Sequence, residues 1–110
     1  TTKSGKLLHE LLRANFESHP LVGEIRGQGL IGAVEFVSAK NPAVAFPTSE
    51  KIGPRVAKRS MELGVITRAL PAADTVAFSP PFVVTDSELE QMVTTVRKAV
   101  DDIAHEIGRM

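Results

Sequence analysis

The chain is 110 residues long, 43% hydrophobic and 24% charged, with 13 basic side chains against 13 acidic ones. That length suits one domain with a real core, and the balanced charge gives no broad footprint for nucleic acid. Apolar runs of a few residues fall far short of the roughly 20 that a membrane span needs, and the lack of cysteine excludes disulfides, thiolate catalysis and cysteine-ligated zinc.

The chain opens Thr1-Thr2 and goes straight into a helical pattern, so we expect a piece of a longer protein. Charges at Lys3, Lys6, Glu10 and Arg13 break any secretory signal, and a cytoplasmic setting fits. Leu8, Leu11, Leu12 and Phe16 recur at helical spacing after Ser4, a candidate cap, and Pro20 stops the run. The first helix is expected over 4–18. Residues 21–26 alternate and residues 30–37 are apolar and β-branched, which predicts two strands joined at Gly27-Gln28-Gly29. Residues 38–48 hold Asn41, Pro42 and Pro47 and read as a loop.

Ile52, Val56, Ser60 and Leu63 form a second helical stripe, with Pro54 in its first turn and Gly64 as its C-cap. A short strand is expected over 65–68, then a turn around Pro71-Ala72-Ala73-Asp74 and a partner strand over 75–78. Ser79-Pro80-Pro81 breaks the ladder. Thr85-Asp86-Ser87-Glu88 reads as a capping box, followed by Leu89, Met92, Val93, Val96, Val100, Ile103 and Ile107 in one continuous helical stripe. The order α-β-β-α-β-β-α predicts an α+β fold, a small antiparallel sheet of three to four strands covered by helices.

Few of these residues carry chemistry. Gly27-Gln28-Gly29-Leu30-Ile31-Gly32 matches a G-x-G-x-x-G fingerprint, but that mechanism needs a helix to open after the glycines, and a strand follows instead. Nucleotide binding is rejected in favour of glycines at turn and packing positions. His9, His19 and His105 lie far apart and are expected at exposed positions, with no metal site. Lys51, Arg55, Lys58 and Arg59 read as a solvated basic face, and Glu88, Glu90, Asp101 and Asp102 as caps and outer face of the last helix.

Arg68 stands apart. Between Val65 and Val84 the charges are Arg68 and Asp74 alone. A guanidinium at the end of a buried strand must find a partner or face a cleft. Either it pairs with Asp74 across the hairpin, or its planar fork serves as a bidentate clamp for a carboxylate.

Two blocks carry a resemblance. Val22-Gly23-Glu24-Ile25-Arg26-Gly27-Gln28-Gly29-Leu30-Ile31-Gly32-Ala33-Val34-Glu35-Phe36 resembles a segment of class III pyridoxal-phosphate aminotransferases. So do Gly64-Val65-Ile66-Thr67-Arg68-Ala69-Leu70 and the run from Asp74 to Thr85, most similar to the pyruvate-dependent ω-amine (β-alanine–pyruvate type) branch. The resemblance covers essentially the whole chain. It implies the C-terminal small domain of a fold-type I enzyme, spanning 1–110, with the large cofactor-binding domain absent.

In that family the large domain supplies the Schiff-base lysine, and Lys3, Lys6, Lys40, Lys51, Lys58 and Lys98 match no such context. The resemblance therefore implies no catalytic or cofactor-binding residue here, no pyridoxal phosphate held by this piece, and no transamination by it alone. It implies one site residue, Arg68, at the position of a mobile arginine that pairs with substrate carboxylates and swings away for apolar amines. Arg26 matches its motif and reads as structural, and Pro80-Pro81 as shaping a loop. For the parent enzyme it implies a homodimer acting on an amine or ω-amino acid and pyruvate or another keto acid. Leu7, Leu8 and the 82–84 run are candidate surfaces for the missing domain.

Two kinds of alternative stand beside this. One is another class III activity, such as an ornithine or 4-aminobutyrate transaminase or an aminomutase, against which the Thr67-Arg68-Ala69-Leu70 context argues. The other is a free-standing module that binds a small carboxylate or a partner without chemistry.

Overall fold

A computed structural model describes residues 2–28, 31–39, 44–47, 50–70, 74–78 and 85–108, excluding the side chains of 2–4 and 28. The chain runs α1 (Thr2–Phe16), β1 (Val22–Gln28), β2 (Ile31–Phe36), α2 (Ile52–Glu62), β3 (Arg68–Leu70), β4 (Thr75–Phe78) and α3 (Asp86–Glu106). The strands form one antiparallel sheet in the order β1-β2-β4-β3. This is the α+β arrangement the pattern predicts, with all four strands in one sheet.

The helices share one face of that sheet. α1 lies against β1 and β2, α2 against β3 and β4, and α3 packs on both other helices. The core follows from periodicity. Leu8, Leu12 and Phe16 of α1 meet Val34 and Phe36 of β2, Val76 and Phe78 of β4, and Val93, Val96 and Val100 of α3 in one cluster. Burying a side chain of this size stabilises by about 1.5–3 kcal/mol, so this layer holds the fold. Leu8 is wholly inside it and Leu7 half-buried against it, so Leu8 is no docking surface and Leu7 already packs on the core. The 82–84 run, Pro80, Pro81 and the 71–73 turn lie outside the described residues.

Several boundaries differ from the sequence reading. Gly27 and Gln28 belong to β1, because pairing extends to Gln28↔Ile31. Gly27 and Gly32 are cross-strand partners beneath α1, with no helix following them. A Cβ on Gly32 would stand 2.5 Å from the Leu12 Cδ1, and one on Gly27 2.4 Å from the His9 Nε2. Close approach of the helix therefore favours glycine at 32, against the fully buried Leu12, while at 27 the tip of the half-buried His9 side chain has to give; this is the packing role expected of these glycines.

Helix α1 ends at Phe16, two residues early, where the His19 N–H turns back to the Phe16 carbonyl. Pro54 sits in the first turn of α2 as expected, and Gly64, at φ +98°, closes that helix. There the Gly64 N–H donates to the Met61 carbonyl and the Val65 N–H to the Ser60 carbonyl, the paired bonds of a Schellman motif. That closure explains why β3 begins at Arg68 and not at Val65: Val65 is still occupied by the helix end. The α3 capping box is present as read, with Glu88 N–H donating to Thr85 Oγ1 (3.1 Å) and Thr85 N–H to Glu88 Oε1 (2.9 Å).

Candidate functional site on the bare sheet face

Strand order decides where the arginines fall. β1 and β3 are the two edges, and alternate residues of each strand point away from the helices. On that side one register row crosses the whole sheet: Arg26↔Ala33, Ala33↔Ala77 and Ala77↔Arg68. Two alanines thus separate two arginines, whose Cα atoms lie about 14 Å apart at three interstrand steps. Among the described residues no helix covers this face.

Arg68 is exposed on a three-residue edge strand whose burial alternates exposed, half-buried, exposed. The expectation of a buried strand fails here, and with it the argument that the guanidinium must be neutralised inside the protein. Nor is it locked to Asp74. The Asp74 carboxylate accepts the Gly53 N–H (3.3 Å) at the start of α2, while its carbonyl accepts the Phe36 N–H. Asp74 itself adopts a left-handed φ of 40°, which its short polar side chain tolerates. Among the described residues Arg68 has no ion-pair partner.

The surroundings of Arg68 are mixed. Ile66 and Leu70, two residues away on either side, are exposed, Ile66 at 83%. Opposite, Ala77 contributes a methyl group alone. One residue before it, the Thr67 Oγ1 is shut away from solvent without a hydrogen-bond partner among the described residues, at odds with the rule that buried polar groups are paired. At the other edge Arg26 leans inward across β2, its Nη2 3.4 Å from the Thr75 Oγ1 on β4. It walls a shallow depression of about 310 Å³ with Gly27, Ile31, Gly32 and Ala33. Glu24 and Glu35 face each other in the neighbouring row.

The remaining charges are held elsewhere. Arg55 pairs with Glu106 (2.6 Å) and Glu50 (3.6 Å), and Arg59 with Asp102 (2.9 Å) and Glu62 (3.2 Å). The expected solvated basic face is therefore, in large part, an ionic seam between α2 and α3, and Asp102 faces that seam and not open solvent. The Arg59 guanidinium, helped by Lys98, holds the Asp102 carboxyl below the usual carboxylate range, and Asp102 in turn raises Arg59. Hydrogen bonds from Thr85, backbone first, lower Glu88 likewise.

The histidines divide: His105 is exposed and His9 half-buried, but His19 is 1% exposed and buried against α3, contrary to expectation. Proximity of Asp101 in space, 82 residues on, has no local sequence signal. Among the described residues no group of three His, Cys, Asp or Glu side chains could hold a metal ion, and no helix is long and apolar enough to cross a membrane.

A four-stranded antiparallel sheet backed by three helices matches the small domain of a transaminase. Residues 1–100 match the class III aminotransferase family, and the chain belongs to that family. It is 35% identical over 109 residues to the diaminobutyrate–2-oxoglutarate transaminase of Halomonas elongata, covering 97% of this chain and 23% of that protein. It is 37% identical over 86 residues to the putrescine–pyruvate aminotransferase of Pseudomonas aeruginosa, covering 78% and 18%. The fold superposes on the ω-transaminase of Pseudomonas jessenii, solved in complex with PMP, with a TM-score of 0.88 at 40% identity, covering 98% of this chain and 23% of that one. The chain thus spans about a quarter or less of the length of these relatives.

The family implies pyridoxal phosphate as cofactor, whose chemistry needs a lysine in an enclosed site. The described residues do not fit that need. Lys6, Lys51 and Lys58 are exposed on the helices or beside them, and Lys98 lies 3.4 Å from Asp102 in an exposed i,i+4 pair.

Proposed function

We propose that this chain is the C-terminal small-domain part of a homodimeric, pyridoxal-phosphate-dependent transaminase that moves an amino group between an amine or ω-amino acid and a short keto acid such as pyruvate. In this reading the lysine and the cofactor-binding residues lie in a large domain outside residues 1–110, and residues 1–110 alone do not transaminate. Arg68 supplies the carboxylate clamp.

One observation supports the role of Arg68: an exposed arginine with no ion-pair partner among the described residues, opposite Ala77 and between the exposed Ile66 and Leu70. A planar fork binds a carboxylate bidentately, and a long arm over a small floor is free to leave when an apolar group arrives. Ile66 and Leu70 offer that group a non-polar surface. The pyruvate and 2-oxoglutarate partners in the relatives' names are both short keto acids with such a carboxylate.

The test extends the gene upstream of Thr1 and purifies its full product. The proposal expects the absorbance of a cofactor–lysine adduct, removable by borohydride. It also expects R68Q to lower kcat/KM for the keto acid by roughly 100-fold, near the top of the range of about 1.5–3 kcal/mol for a hydrogen bond to a charged group, while an amine without a carboxylate is turned over as before. A colourless product overturns the enzyme reading. A coloured enzyme whose keto-acid and amine rates fall together under R68Q overturns the clamp.

A further inference from the structure

We infer that His19 is an acid-sensitive latch that ties the corner between α1 and β1 to α3, and that it closes only with a neutral imidazole. The inference is independent of the role proposed for Arg68. It starts from burial: the His19 side chain is fully enclosed, and both ring nitrogens are engaged.

The two contacts fix the tautomer. The Leu21 N–H donates to Nδ1 at 3.1 Å, so Nδ1 carries a lone pair. Nε2 then holds the proton and donates to the Asp101 Oδ1 at 2.9 Å. Asp101 is held in turn by Arg97, whose Nε lies 3.0 Å and 3.2 Å from its two oxygens. The Arg97 Nη1 reaches on to the Asn15 carbonyl in the last turn of α1. A continuous chain of donors and acceptors thus runs from the first residues before β1 through the imidazole to α3 and back to α1.

A second proton has no place in this arrangement. On Nδ1 it would face the Leu21 N–H, donor against donor, in a site closed to water. Among the described residues the charged groups linked to the ring are Asp101, directly, and Arg97, through Asp101, both from α3; Glu17 precedes it by two residues in the chain, just past the end of α1. Asp101 and Glu17 favour an imidazolium, but Arg97 is forked on the Asp101 carboxylate and offsets it. Leu21 and Val22, which follow the ring into β1, are apolar and buried. The lost Leu21 bond and the burial decide the balance. The folded chain refuses a proton that the unfolded chain accepts below about pH 6.5, so folding weakens as pH falls through that value, by up to about tenfold per pH unit for one proton.

Two measurements on the 110-residue chain test this. The first reads the ring nitrogens of His19 by ¹⁵N NMR at pH 8, where a bare Nδ1 and a protonated Nε2 are expected. The second compares urea unfolding of the unmodified chain and H19N, in which the Asn oxygen can still accept the Leu21 N–H. The advantage of the unmodified chain should shrink on going from pH 8 to pH 5, by roughly 30-fold in the folding constant. A protonated Nδ1 at pH 8 overturns the latch. So does an advantage that stays constant or grows toward pH 5, because an imidazolium paired with Asp101 would then be the stabilising form. If H19N does not fold, the tautomer in the unmodified chain decides alone.

Discussion

The two faces of the sheet are built from the same four strands and do opposite work. Toward the helices stand Val34, Phe36, Val76 and Phe78, all at most 2% exposed; away from them stand Arg26, Ile31, Ala33, Ala77, Arg68 and Leu70, half-buried or exposed, together with Thr75, which is shut in at 1%. Adjacent residues on one strand therefore belong to different problems: Val76 and Phe78 to packing, Ala77 between them to the space beside Arg68. The difference teaches that in this chain stability and the proposed substrate contact are separable at single-residue resolution. A charge on the covered face would have to be neutralised, whereas Arg68 on the other face is exposed and has no ion-pair partner among the described residues.

The sharpest way to break that division is to empty the covered face. Phe78→Ala removes a wholly buried ring and should cost about 3–5 kcal/mol, read as a fall in the urea midpoint; a loss under 1 kcal/mol would mean that the helices are not seated on the sheet as described. The next contrast sets neighbours against each other. Gly32→Val drives a side chain into Leu12 and should cost about 1–3 kcal/mol, while Ala33→Val, one residue on and on the other face, should stay within about 0.5 kcal/mol. Equal losses would erase the distinction between the faces.

Smaller effects lie away from the sheet. Thr85→Ala removes one half of the α3 capping box and should cost about 1 kcal/mol. Asp102 and Glu88 have lowered pKa values in the folded chain. Their contribution is therefore complete above the ordinary carboxylate range near 4 and is lost as pH falls through the folded values. D102N should flatten this acid limb slightly, and added salt should do the same; an acid limb unchanged by both would put its origin elsewhere.

What the sequence disclosed followed from how local each signal is. α3 and its capping box were readable because the cap, the acidic N3 residue and the apolar stripe all lie within one segment. Gly64 and Pro54 were readable for the same reason. The start of β3 was not, because β-branched Val65 and Ile66 look like strand while the Schellman closure of α2 still holds Val65. The Asp74 pairing open to Arg68 disappears because α2 places the Gly53 N–H at that carboxylate. The exposure of Arg68 depends on the order β1-β2-β4-β3, which leaves β3 at an edge; no single segment encodes that. His19 was read as exposed because its partner lies 82 residues away. The register row that joins Arg26, Ala33, Ala77 and Arg68 is likewise a property of pairing, although each of its four residues was visible.

The central claim is the separation of the two faces, and one measurement tests it most directly: urea unfolding of the 110-residue chain carrying R68Q beside the same chain carrying Phe78→Ala. The account predicts a midpoint for R68Q within error of the unmodified chain, a change under about 0.5 kcal/mol, against the large fall for Phe78→Ala. A fall for R68Q comparable to that of Phe78→Ala would contradict it, since Arg68 would then be part of what holds the sheet together and not a side chain free to meet a carboxylate.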